Sequence, residues 1–193
     1  EGLITAMLPE VAPHKKLLAS PWPRLTYNES MERFGTDKPD LRFGMELYNV
    51  GAIFEKSEFV VFKSTLERAG MIKCIVAPGC AGYTRKQLDD LTTTAKELGA
   101  KGLVTLALTV EGPKGSGAKF ICEKEFAALA KLTGAASGDL ILFVADSRKI
   151  VHKVLCALRI GFRDALKLAD PNMMAFAFVL DFPMFEWNEE FKK

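Results

Sequence analysis

Apolar residues recur along this chain in two rhythms. Short runs at Glu46–Val50, Phe59–Phe62, Ile72–Val76, Leu103–Thr109 and Leu140–Val144 read as β-strands, rich in β-branched and aromatic side chains. Between them, three segments place apolar residues every third or fourth position, the spacing of an amphipathic helix. Thr84-Arg85-Lys86-Gln87 is a capping box, in which hydroxyl and amide satisfy orphan backbone donors. Leu88, Leu91, Ala95 and Leu98 follow it before Gly99. Phe126, Leu129, Ala130 and Leu132 make a second stripe, stopped by Gly134. A third runs from a Ser147 cap to about Leu168, with Ile150, Val151, Val154, Leu155, Leu158, Phe162 and Leu166 on one side.

Each helix has a single apolar face and so should cover a sheet rather than sit inside a bundle. About nine residues separate the runs at Phe59–Phe62 and Ile72–Val76, too few for the usual parallel crossover. The expected class is α+β, a two-layer sandwich of a mostly antiparallel sheet with three helices on one face.

The flanks read differently. Residues 1–23 hold a short apolar pattern cut by Pro9 and Pro13, expected as a broken helix followed by a linker through Ser20-Pro21-Trp22-Pro23. Arg24–Tyr27 predicts a strand, and Asn28 the cap of a helix that Gly35 ends. At the other side, Asp170-Pro171-Asn172 marks a boundary before an apolar strand pattern, Ala175–Phe185.

Composition adds bounds. The 193 residues are 49% hydrophobic and 26% charged, enough for a real core in one or two domains. The 26 basic against 24 acidic residues leave a formal charge of +2, so any basic surface must be local. No signal peptide or apolar membrane span is visible, and four cysteines without a C-x-x-C pair fit a reducing compartment, with the cytoplasm as the default. The first residue is Glu1 rather than Met, which raises the expectation of a piece from a longer protein.

Candidate chemistry is sparse. No metal site is expected, since His14 and His152 each lack a clustered second ligand, and they do not form a catalytic pair. His152 is expected on the solvated side of the third helix. Asp89 and Asp90 are adjacent on a helix and splay apart. Gly112-Pro113-Lys114-Gly115-Ser116-Gly117-Ala118-Lys119 fails the register of a phosphate loop and reads as a mobile surface turn. Gly79 and Gly82 frame a tight turn around Cys80, which reads as structural ahead of reactive. On the third helix, at about 100° per residue, Arg148, His152, Arg159 and Arg163 share one sector and Lys149, Lys153 and Lys167 the next. Either this is a solvated face, or Arg148, Lys149, Lys153, Arg159 and Arg163 lie against an RNA backbone.

Two stretches carry a family signature. Arg24-Leu25-Thr26-Tyr27, Met31-Glu32-Arg33-Phe34-Gly35-Thr36-Asp37-Lys38-Pro39-Asp40-Leu41-Arg42-Phe43 and Asp181-Phe182-Pro183-Met184-Phe185-Glu186 resemble the bacterial type of aspartyl-tRNA synthetase, a class II aminoacyl-tRNA synthetase. Between them, Val76–Gly79, Thr84–Gln87, Gly99–Leu103, Ala118–Phe120 and Gly138–Asp146 resemble its inserted GAD domain. Cys122 stands where the family often has Ser, a weaker cap. The resemblance implies a hinge segment at 1–43, the inserted domain at 44–169 and a strand returning to the catalytic core at 170–193. It also implies that the whole enzyme uses ATP and Mg2+ and pairs as a homodimer, and that its partners are tRNA and the rest of the synthetase, with no membrane. No catalytic, substrate-binding or metal residue and no cofactor transfers to a position in this chain. The alternative is the same RNA-contact module in a tRNA-dependent amidotransferase subunit. Regulatory small-molecule binding has no residue signature here and ranks last.

Overall fold

The computed structural model describes residues 1–185. In chain order, the flank contributes α1 (Gly2–Val11), β1 (Lys16–Leu17), β2 (Arg24–Thr26) and α2 (Tyr27–Phe34). The central part comprises β3 (Tyr48–Asn49), a short 3-10 helix at Gly51–Phe54, α3 (Val60–Glu67), β4 (Met71–Ala77), α4 (Arg85–Glu97), β5 (Val104–Thr109), β6 (Gly112–Lys114), α5 (Glu123–Thr133), β7 (Leu140–Asp146) and α6 (Arg148–Ala165). Then come β8 (Met173–Met174) and β9 (Phe178–Leu180).

The main sheet has the order β3-β4-β7-β5-β6, antiparallel throughout, with β7 at its centre. The α+β class and the mostly antiparallel sheet are as expected. The helices, however, divide between its faces. Leu140, Leu142 and Val144 of β7 pack with Ile75, Ala95 and the α6 residues Val151, Val154, Leu155 and Leu158. On the opposite face, Ile141 and Phe143 pack with Cys74, Leu106, Phe54, Phe62 and Leu129 of α5. The reason lies in β7 itself. Leu140–Val144 is apolar without alternation, and a strand of that kind must be covered on both sides.

One expected strand is a helix. Phe59–Phe62 caps and opens α3, because its burial follows the helical period rather than alternation: Phe59 and Phe62 are buried, while Val60 and Val61 face out. The Phe62 ring lies 4.7 Å from both Phe54 and Phe59, which ties α3 to the 3-10 helix beneath the sheet.

The caps match their sequence signatures with two changes, one of them at α6, where Ser147 holds the N-cap position without a side-chain cap hydrogen bond. Thr84 and Gln87 form the expected box at α4, with Thr84 N–H donating to Gln87 Oε1 at 2.9 Å. Thr26, not Asn28, caps α2, paired with Glu29 in a second box. Cys122 heads α5 with only the return half clear, its N–H donating to Glu125 Oε2 at 2.8 Å. Gly35 ends α2 at φ +71°, seated so tightly on α6 that a β-carbon there would lie 2.6 Å from His152 O.

The Gly112–Lys119 stretch, expected as a mobile turn, is anchored. Its first residues pair as β6, and the Ser116 hydroxyl accepts from Thr105 N–H at 2.9 Å. The expected linker after α1 contains β1, which pairs with β8 in parallel. Only Phe178–Leu180 of the expected Ala175–Phe185 strand is extended in a ladder, parallel to β2, and Glu186 lies outside the described residues.

Because Phe143 is fully buried between Phe54 and Phe62 at the centre of the sheet, Phe143→Ala should cost about 3–5 kcal/mol. Urea unfolding reads this as a lower midpoint.

Candidate nucleic-acid interface

The α6 helix is amphipathic because Val151, Val154, Leu155, Leu158 and Phe162 must meet the sheet, which turns its cations away from that face. What receives those cations is the flank. Helix α2 and the loop after it lie along α6, and most of the expected basic face is spent holding them.

Arg159 is 1% exposed. Its Nε donates to Met45 O at 3.0 Å and its Nη2 to the carbonyls of Asp40, Phe43 and Gly44 at 2.8, 3.2 and 3.1 Å. The guanidinium also stands 3.9 Å from the centre of the Phe43 ring. Arg159 is thus the internal bracket of the 40–45 loop and is removed from any RNA-facing surface. Arg163 pairs with Asp40 at 3.1 Å and with Asp164 at 2.8 Å, and Asp40 also holds Arg42 at 2.7 Å. The Arg42 hydrogen bond, opposed by burial and helped by Arg163, holds the Asp40 carboxyl well below the usual carboxylate range.

A second cluster centres on Glu32 of α2. Lys73 of β4, buried, reaches it with Nζ 2.5 Å from Oε2 and 2.7 Å from the Glu32 carbonyl. Arg148 pairs with the other carboxylate oxygen and donates to Asn28 Oδ1 at 2.9 Å. Burial alone would raise the Glu32 carboxyl, but the hydrogen bond and charge of Lys73, with Arg148 and His152, bring it below its ordinary value.

His152 corrects its sequence expectation. It is 3% exposed, not solvated, and its Nε2 sits 3.6 Å from Glu32 without a hydrogen-bond partner among the described residues. Burial, reinforced by the Lys73 charge, pushes its pKa down to about 4, so the ring is neutral at neutral pH. The helical wheel correctly groups Arg148, His152, Arg159 and Arg163, but that sector is the one α2 and its loop cover.

Lys149 and Lys153 remain on the surface, one turn apart, and form no ion pair among the described residues. They border a groove of about 850 Å³ between α2 and α6, whose other wall is Tyr27, Asn28, Met31, Gly35 and Thr36. Lys167 is also exposed, beyond the end of α6. The groove residues on α2 escaped sequence reasoning, since their spacing signals only a capped helix. The arrangement can meet an anion with two lysines, with the Tyr27 phenol and the Asn28 amide alongside.

Elsewhere the candidates for chemistry are structural. Cys80 is 1% exposed and burial pushes its thiol up; Gly79 N–H beside it donates to Asp139 Oδ1 at 3.0 Å. Among the described residues, no three His, Cys, Asp or Glu side chains converge as metal ligands, and no helix is long and apolar enough to cross a membrane.

Comparison with known proteins adds a lineage. The family described as the GAD domain matches residues 62–155. An aspartate–tRNA(Asp/Asn) ligase of Rubrobacter xylanophilus is 46% identical over 190 residues, covering 98% of this chain and 32% of the relative. One from Moorella thermoacetica is 44% identical over 176 residues, 91% of this chain and 29% of its own length. An aspartate–tRNA ligase of Staphylococcus saprophyticus is 45% identical over 174 residues, 90% of this chain and 30% of its own length. The chain therefore spans about a third of the curated relatives it matches.

His152 gives this region a pH signature. Its folded pKa of about 4 lies below the ordinary 6.5, so between these values the unfolded chain holds a proton that the folded chain does not. Its contribution is fully present above pH 6.5 and is lost as pH falls toward 4, with a slope of up to ~1.4 kcal/mol per pH unit. His152→Gln should flatten urea stability between pH 7 and 5; an unchanged slope in the variant would contradict the assignment.

Proposed function

The chain belongs to the aspartate–tRNA ligase family, as the part that carries the GAD domain, and from that premise we propose that the whole protein joins aspartate to tRNA. The reaction uses ATP and Mg2+, in the cytoplasm, and the enzyme works as a homodimer. The observation that carries this reading is similarity to ligases across 98% of the chain, both flanks included, which favours a ligase over an amidotransferase subunit built on the same module.

Within it, we assign residues 44–169 to the inserted domain, 1–43 to the hinge leaving the catalytic core and 170–193 to the segment returning to it. The chemistry is assigned to the remainder of the synthetase. Among the described residues no three His, Cys, Asp or Glu side chains converge as metal ligands. Phe182, Met184 and Phe185 are 53%, 86% and 85% exposed, an apolar surface suited to docking on that remainder.

The domain's own part is a salt-sensitive contact with tRNA phosphates. Lys149 and Lys153, exposed on the groove rim, supply the free charge, and Arg148 stands beside them while tied to Glu32. Arg159 and Arg163 act from behind by fixing the loop that borders α6.

Two measurements test this reading. Aspartate-dependent exchange of pyrophosphate with ATP should be absent from the 193-residue chain, and measurable turnover would overturn the division of labour. In tRNA titrations at rising salt, Lys149→Glu with Lys153→Glu should weaken binding and reduce the log–log salt slope by about 1 per lysine. Equal slopes for variant and parent would remove the tRNA contact from α6.

A further inference from the structure

A second recess opens on the sheet face opposite α6. It measures about 660 Å³, within the range of small-molecule sites. Its floor is apolar, made by Val104 of β5 and by Phe143 and Ala145 of β7, and one wall is α3, which presents Val60 and Val61. These two valines are 73% and 45% exposed, apolar groups in water at the mouth of an apolar slot.

Charge is placed at one end of it. Arg68 follows α3, Lys101 precedes β5 and Arg148 opens α6, and the sheet register brings all three to the same edge, where Met71 stands opposite Asp146. Arg148 is committed to Glu32 and Asn28. Arg68 and Lys101 are exposed and form no ion pair among the described residues. The acid on the lining, Asp146, is 9% exposed; its Oδ1 accepts from the Ser147 N–H at 2.7 Å, and its Oδ2 is buried without a hydrogen-bond partner among the described residues, beneath the exposed Arg68 and Lys101. The two valines lie at the far end of α3, a helix of eight residues and so about 12 Å long. The slot is therefore polarised along its length, apolar at the valines and cationic at Arg68 and Lys101.

We propose that this recess is a binding site for an elongated organic anion, its apolar body against Val60, Val61, Val104 and Ala145 and its acidic head between Arg68 and Lys101. The fit is electrostatic at one end, where Arg68 and Lys101, without an ion pair among the described residues, offer five and three N–H donors. It is hydrophobic along the rest, where a ligand body would cover valine surface that no described segment of this chain covers. The site shares no free cation with the Lys149 and Lys153 groove, so it stands or falls apart from the tRNA contact.

The probe is anilinonaphthalene sulfonate, a rigid apolar body with one acidic head, with decanoate as competitor. In titrations of the full chain followed by backbone amide shifts, the perturbed amides should gather at residues 60–70, 101–104 and 143–148, and decanoate should displace the dye. Arg68→Glu with Lys101→Glu should weaken both ligands by about tenfold while the amide spectrum stays folded, and Val60→Asp should do the same from the apolar end. Perturbations confined to other exposed apolar surface, such as Phe182–Phe185, or affinity indifferent to both sets of variants, would overturn the site.

Discussion

The burial of two cations, Lys73 and Arg159, sets the rest of the structure. Each is 1% exposed, and taking an ammonium or guanidinium out of water costs several kcal/mol, which only nearby hydrogen-bond acceptors and opposite charge can offset. Neither finds its partners within the sheet and helix that carry it. Lys73 is answered by the carboxylate and carbonyl of Glu32, and Arg159 by four main-chain carbonyls between Asp40 and Met45. The flank from α2 to Met45 is therefore the partner that makes a charged sheet face and a charged helix face tolerable. The central part and its flank behave as one packed unit for this reason.

That requirement also decides which charges remain for function. Glu32 and Asp40 absorb Lys73, Arg148, Arg163 and Arg42, so a helix that is strongly basic by sequence shows little free charge on the side where its arginines point. The surplus lies with lysines one sector round. Lysine suits that position, since its long stem reaches a phosphate without a fixed geometry, whereas the arginine fork suits the converging carbonyls of the 40–45 loop. The split between arginine inside and lysine outside separates holding from binding on the same helix.

Much of this was legible in residue order. Capping boxes, glycine stops and apolar periods placed α4, α5 and α6, and the Arg24 strand, because each depends on neighbours within a turn or two. Phe59–Phe62 was not, since four apolar residues fit both periods until the rings of Phe54 and Phe143 choose the helical one. The side of the sheet covered by each helix was half legible: the unbroken apolar run of β7 demands cover on both faces, but not by which helix. Least legible was the fate of Arg159 and His152. A helical wheel gives the angle of a side chain and says nothing of a segment more than a hundred positions away that lies over it.

The flanks impose a last constraint through strand direction. β2 pairs with β9 in parallel, and β1 with β8 likewise, so the chain enters and leaves the central part side by side and pointing the same way. An antiparallel pair can be closed by two residues, but a parallel pair needs a crossover that returns the chain to its starting end. Here the whole of α2 through α6 serves as that crossover. Any shortening of the central part must still leave a connection of a dozen residues or more, or the two small ladders cannot form. Trp22 stacked 4.6 Å from Phe176, and Arg24 lying 4.9 Å from the Phe178 ring, hold the two ends of that path together. The junction is thus stabilised by its own aromatic contacts, and the domain can be large because, beyond that minimum, the ladders it connects do not depend on its length.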